Sequence, residues 1–156
     1  MDYVFDTNSI RVIGNYYPDR FPSFWERFNE CADQGKIVSV REVYRELDLQ
    51  IRKPSLREWI KNHKRMFLIP TQEETAFVGH IFSIKHFQAL IKLRNQLTGR
   101  PVADPFVIAL AYVKKSCVVS EETIKENAAQ IPNICEHFGI DCTNFEGMME
   151  REGWEF

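Results

Sequence analysis

Short apolar runs alternate with longer segments of helical spacing along the chain, and this alternation constrains the fold more than any other feature. The runs are residues 2 to 5, then KIVSV, MFLIP and SCVVS. The first ends at Asp6 and is followed by Thr7, Asn8 and Ser9, which favour turns and helix caps, so it reads as a strand feeding a helix. Next, SFWERFNECADQGK carries Phe24, Trp25, Phe28 and Cys31 at helical spacing and stops at Gly35. Further helices are expected in REVYRELDLQIR, from Pro54 and Ser55, over a long region from Glu73 to Leu97 before Gly99, and in ADPFVIALAYVKK. Strands separated by helices pair in parallel through right-handed crossovers. The expected class is therefore α/β, a three-layer α/β/α sandwich around a central parallel sheet. With 156 residues and 44% apolar composition, a single domain over 1–156 accounts for the chain.

Several function classes are excluded on the same grounds. No apolar stretch approaches the length of a bilayer span, and MDYVFD lacks the regions of a signal peptide, so a cytoplasmic protein without membrane attachment is expected. Cys31, Cys117, Cys135 and Cys142 show no CxxC pairing, and disulfides are not expected. The histidines are scattered, His80 and His86 do not share a helical face, and their spacing argues against zinc. A net charge of −2, from 20 basic and 22 acidic residues, means that any nucleic-acid binding must be local. One concentration of positive charge lies in RKPSLREWIKNHKR, where Lys53, Arg57 and Lys61 recur at four-residue steps and form a candidate RNA-binding stripe. A solvated helix face explains them equally well. The aromatic stretch NYYPDRFPSFWERF, with Phe77, Phe82 and Phe87, reads as core more readily than as a partner or self-association surface.

Four acids stand where apolar elements begin or end: Asp6, Glu46 in VREVYREL, Asp104 in VADPFVIALA, and Glu122 in VVSEET. In an α/β fold such positions face a shared crevice at the carboxyl edge of the sheet. Oxygen-only ligands select magnesium or manganese, and such an ion activates water and neutralises charge on a phosphodiester under in-line attack. The acids therefore point to a metal-dependent nuclease. Each also has a structural duty open to it. Asp6 is a ready helix cap. Glu46 lies at the edge of the apolar stripe of its helix, whereas Glu42 points nearly opposite. Asp104 reads as an N-cap with Pro105 at the first helical position. Glu121 and Glu122 open a helix, with Ser120 as its cap or a ligand contact.

In this order and context, FDTNS, VYREL, ADPFVIALA and VVSEE resemble the motifs of the PIN domain, a magnesium-dependent ribonuclease fold. IPNICEHFGI and EGWEF are similar to the closing elements of a PIN-like toxin group of the VapC kind. The resemblance implies that Asp6, Glu46, Asp104 and a fourth acid face one another around one or two Mg²⁺ or Mn²⁺ ions. Asp6, Asp104 and Glu122 would be metal ligands, Glu46 would orient water, and Thr7, Asn8 and Ser120 would be supporting polar residues. It also implies hydrolysis of single-stranded RNA and an antitoxin protein as partner; a homo-oligomer is a separate expectation, which the aromatic segment could serve. Arg41, Arg45, Arg52 or Arg100 would offset phosphate repulsion at the rim. Ser-Glu-Glu replaces the commoner Thr-x-Asp at the last motif, which leaves Glu121 and Glu122 as alternatives for the fourth acid and a non-catalytic binding module as the rival function. A phosphatase of the haloacid dehalogenase type needs a second aspartate two residues after the first, which FDTN lacks.

Overall fold

Each of the four apolar runs forms a strand, and a fifth strand follows them. In the computed structural model, which describes residues 2–88 and 102–156, β1 (Tyr3–Phe5), β2 (Ile37–Val40), β3 (Phe67–Leu68), β4 (Cys117–Val119) and β5 (Cys142–Thr143) make a sheet of order β3-β2-β1-β4-β5. Every pairing is parallel. The helices are α1 (Thr7–Ile13), α2 (Pro22–Asp33), α3 (Arg41–Gln50), α4 (Pro54–Asn62), α5 (Gln72–Phe82), α6 (Asp104–Lys114), α7 (Ile131–Phe138) and α8 (Phe145–Glu152). The α/β sandwich read from the alternation is therefore the observed class. β5 gave no sequence signal because two residues are too short to show a strand period.

Register decides which helices cover which face. Tyr3 pairs with Ile37 and Cys117, and Phe5 with Val119, so these residues share one face. On that face Phe5 meets Phe28 of α2 edge-on at 5.7 Å and Phe145 of α8 at 5.9 Å, while the Tyr3 hydroxyl donates to Glu152 at 2.8 Å. The aromatic stretch thus supplies core through Phe24, Trp25 and Phe28, while Tyr17 and Phe21 stay exposed. The opposite face is held by α6, whose residues from Val107 to Ala111 are all buried. A helix apolar almost all round must be covered all round, and α6 lies between the sheet and helices α5 and α7.

Two expectations about helices need correction. The helical region expected from Glu73 to Leu97 begins at Gln72 and is interrupted after Phe82, where the Ser83 hydroxyl donates to the His80 carbonyl at 2.6 Å; residues 85–88 are helical again, and residues 89–97 lie outside the described residues. Glu121 and Glu122 open no helix: the chain runs irregularly from Ser120 until α7 begins at Ile131.

The order of the strands sets the place of any site. From β1 the chain builds outward through β2 and β3, and β4 then pairs on the other side of β1. The chain leaves the carboxyl end of β1 directly into α1 and that of β4 into an irregular loop, and in an open α/β sheet the crevice lies between two such strand ends, where the strand order reverses.

Phe28 is fully buried and touches the rings of Phe5, Phe24, Trp25, Trp59 and Phe145. Phe28→Ala is expected to lower unfolding free energy by about 3–5 kcal/mol in denaturant titration. A loss under ~1 kcal/mol would show that this cluster relaxes into the space.

Candidate active site

Asp6 is the first residue beyond β1 and the cap of α1. Its backbone is extended, its Oδ1 accepts from Ser9 N at 2.7 Å, and only 2% of it is exposed. The next strand holds it in place, because Asp6 N donates to the Val119 carbonyl at 3.1 Å and Ser9 Oγ donates to the same oxygen at 2.9 Å. Burial pushes the Asp6 carboxyl up to about 6. The Ser9 amide and the hydroxyls of Ser120 and Ser9 oppose that rise, and the charge of Glu122 adds to it. Asp6, Ser120 and Glu122 therefore share one electrostatic environment at the carboxyl ends of β1 and β4.

The remaining expected residues have contacts of their own. Thr7 Oγ1 donates to Glu46 Oε2 at 2.5 Å, which ties the half-buried Glu46 of α3 to the residue beside Asp6. Buried Ser120 accepts the Glu122 amide at 3.2 Å and forms the turn that carries the acids. Glu122 Oε2 accepts from Ile131 N at 2.8 Å, at the start of α7, and Glu121 Oε1 accepts from Phe145 N at 2.8 Å, at the start of α8. The acids thus serve helix starts far along the chain, not one of their own. Asp104 is half-buried in the first turn of α6; Ala103 is the cap residue, so the helix starts one position earlier than expected and Pro105 is its second residue. Among the described residues no three Asp, Glu, His or Cys side chains are gathered as a ready-made metal cage.

Glu42 corrects the helical-wheel reading. It is 6% exposed, in the first turn of α3 directly after the carboxyl end of β2. Arg41 pairs with it at 2.9 Å, so Arg41 is committed within the protein. Among the described residues Glu42 Oε2 itself has no hydrogen-bond partner.

The basic stripe has three different environments. Arg57 Nη2 donates to the carbonyls of Asp48 and Ile51 at 2.9 and 3.1 Å, which fastens the turn between α3 and α4. Lys61 is exposed in the last turn of α4, where its charge suits the carbonyl end of the helix. Lys53 precedes α4 and lines a cleft with Asn8, Arg11, Arg52, Glu121 and Glu122. Arg45 is exposed on α3, and Arg100 lies outside the described residues. Sequence reasoning passed over the fully buried Ser39, whose Oγ donates to the Phe5 carbonyl at 2.6 Å. A serine inside the apolar run KIVSV was the available signal, since a buried hydroxyl needs a partner.

The raised Asp6 carboxyl has a stability consequence of definite sign. Its folded value lies above the ordinary 3.8, at about 6, so the folded state binds the extra proton in that window and loses stability as pH rises through it. Asp6→Asn keeps the capping oxygen and removes the buried charge. In metal-free buffer at pH 7 the variant is expected to be more stable than wild type by roughly 2–3 kcal/mol, with the difference shrinking toward pH 4. A difference independent of pH would remove the buried charge as its cause.

A solved structure, VapBC2 from Rickettsia felis bound to a DNA fragment from their promoter, superposes with a TM-score of 0.52 at 14% identity, covering 92% of this chain and 98% of that one. At that identity the likeness is one of fold. It agrees with a PIN-like three-layer sandwich. No curated protein sequence matches the chain. Residues 3–156 match the family model described as a domain of unknown function, DUF4411, and the chain belongs to that family.

Proposed function

We propose that this chain is a metal-dependent endoribonuclease that hydrolyses phosphodiester bonds of single-stranded RNA, with the whole of 1–156 acting as one PIN-like domain. The observation that carries the reading is the buried Asp6, held at the switch point of a parallel sheet beside Glu122 with its carboxyl pushed up to about 6. An isolated buried carboxylate is costly, and a bound cation offsets that cost. The donor chemistry fits magnesium or manganese: every candidate ligand is an oxygen, and magnesium is commonly held by one or two carboxylates with water and substrate phosphate completing its shell. Asp6 and Glu122 would hold the ion, with Asp104 as the third acid assigned to it. When bound, it supplies an activated water and charge neutralisation at the phosphate.

The chain's own residues prepare that chemistry. The Ser9 amide and the Ser120 hydroxyl fix the Asp6 carboxylate. Thr7 fixes Glu46, which orients water, and the α7 amide at Ile131 holds one oxygen of Glu122. The motif resemblance and the fold shared with VapBC2 support a further reading, that the chain is the toxin of a cytoplasmic toxin-antitoxin pair, bound by an antitoxin protein and self-associating. Among the described residues no helix is long and apolar enough to cross a membrane, in keeping with that place.

A second reading has its own observation. Glu121 and Glu122 each give an oxygen to a helix start, and no three acids are gathered among the described residues, as suits a module that binds RNA or protein without cutting. Purified protein is expected to cut single-stranded RNA with magnesium or manganese and to stop in EDTA. Asp6→Asn is expected to lower the rate by more than about 100-fold, and Ser120→Ala, which removes a positioning hydroxyl, by about 10–100-fold. Wild type that binds RNA but leaves it intact with either metal would select the non-catalytic module. Cleavage that survives EDTA would reject the metal.

A further inference from the structure

The cleft beside the acids has a second chemical character. Its volume is about 660 Å³, inside the range of roughly 300–1,000 Å³ usual for ligand sites. The loop after β4 brings Glu121 and Glu122 to it, whereas α1 and the α3–α4 connection bring Arg11, Arg52 and Lys53. Arg11 Nη1 donates to Gln50 Oε1 at 3.3 Å, and Lys53 Nζ donates to Asn15 Oδ1 at 2.6 Å and the Gly14 carbonyl at 3.4 Å. These partners are neutral. They orient the cations without cancelling them, and among the described residues none of the three cations forms an ion pair.

An aromatic ring completes the arrangement. Lys53 Nζ lies 5.9 Å above the ring of Tyr17, and Tyr17 is 58% exposed although the neighbouring aromatics Phe24 and Trp25 are buried. Cations in a cleft with an exposed aromatic ring beside one of them are what a single-stranded nucleic acid uses: phosphates meet the charges and a base stacks on the exposed part of the ring. An acidic peptide would use the cations and leave the tyrosine idle.

We propose that single-stranded RNA enters the acidic centre through this cleft, with phosphates on Arg11, Arg52 and Lys53 and a base on Tyr17, and not along the outer stripe of α4. Arg57 is occupied in the α3–α4 turn and Lys61 lies outside the cleft, so of the stripe only Lys53 takes part. The inference rests on the nuclease reading for its substrate.

The test is fluorescence anisotropy of a single-stranded oligouridine RNA in EDTA across a salt series, with Asp6→Asn protein as the parent so that nothing is cut. Adding Arg11→Gln, Arg52→Gln and Lys53→Gln is expected to weaken binding about tenfold or more and to make the salt slope shallower by about 2, since each single-strand phosphate contact contributes about 0.7. Tyr17→Ala, a surface change, is expected to weaken binding roughly fivefold or more. Lys61→Gln with Lys64→Gln should leave affinity within about twofold, because neither residue reaches the cleft. The path is overturned if the triple variant and Tyr17→Ala both bind like the parent, if the Lys61/Lys64 pair takes the larger loss, or if the triple variant loses an acidic peptide while keeping RNA. Cleavage by the protein with Asp6 intact is read separately. RNA affinity lost through the cleft variants without wild-type cleavage would reject the nuclease and keep the path, and cleavage with undiminished binding by the cleft variants would reject the path alone.

Discussion

One backbone oxygen holds the candidate site together. The Val119 carbonyl, at the end of β4, accepts both the Asp6 amide and the Ser9 hydroxyl, while the Asp6 carboxylate accepts the Ser9 amide in return. This small closed circuit joins β1, α1 and β4 at the point where the strand order reverses. The other positions follow from it. Thr7 comes next to Asp6 and reaches Glu46; Ser120 comes next to Val119 and shapes the turn that presents Glu122. A parallel sheet delivers strand ends to one edge, but it does not bring particular side chains together. Here the capping hydrogen bonds of α1 do that, so a stability device and a candidate catalytic position are the same residue.

The legibility of the chain follows the length scale of the interactions. Alternating apolar runs announced the parallel sheet and its helices because burial acts on whole segments, and α2 and α6 showed their core faces in the spacing of Phe24, Trp25 and Phe28 and in the run from Val107 to Ala111. Asp6 was legible because a strand end followed by capping residues has few other readings. What failed depended on contacts distant in sequence. Nothing in SEET reveals that its two glutamates reach the amides of Ile131 and Phe145. The wheel for α3 placed Glu42 outward because it treats a helix as isolated, yet Glu42 stands in the first turn directly after β2 and is buried. Arg57 read as one step of a charged stripe until the carbonyls of Asp48 and Ile51 claimed it.

The pair of glutamates after β4 makes physical sense of the departure from the commoner Thr-x-Asp pattern. Each must extend from one loop to the start of a separate helix, and each gives an oxygen to an amide that would otherwise go unpaired there. The extra methylene of glutamate supplies reach toward those amides. Glu122 does this while its charge is still felt by Asp6, so the hydrogen bond from Ile131 also orients the carboxylate at the centre. Helix capping and the proposed metal binding ask for the same thing of this residue, a carboxylate in a fixed pose.

Near-neutral overall charge is compatible with such a centre because the opposing charges are separated only locally. Arg11, Arg52 and Lys53 share a cleft with Glu121 and Glu122, while the molecule as a whole carries −2. At physiological ionic strength the field of an exposed charge decays over about 8 Å, so a distant polyanion senses little net attraction. A strand already in the cleft lies within that distance of both groups, and cations flanking the acids lower the repulsion its phosphates meet. Discrimination then comes from fit inside the cleft and not from long-range capture. A single strand can bring phosphates to the cations and a base to Tyr17 together, whereas a stiff duplex keeps its bases stacked and leaves that ring without a partner.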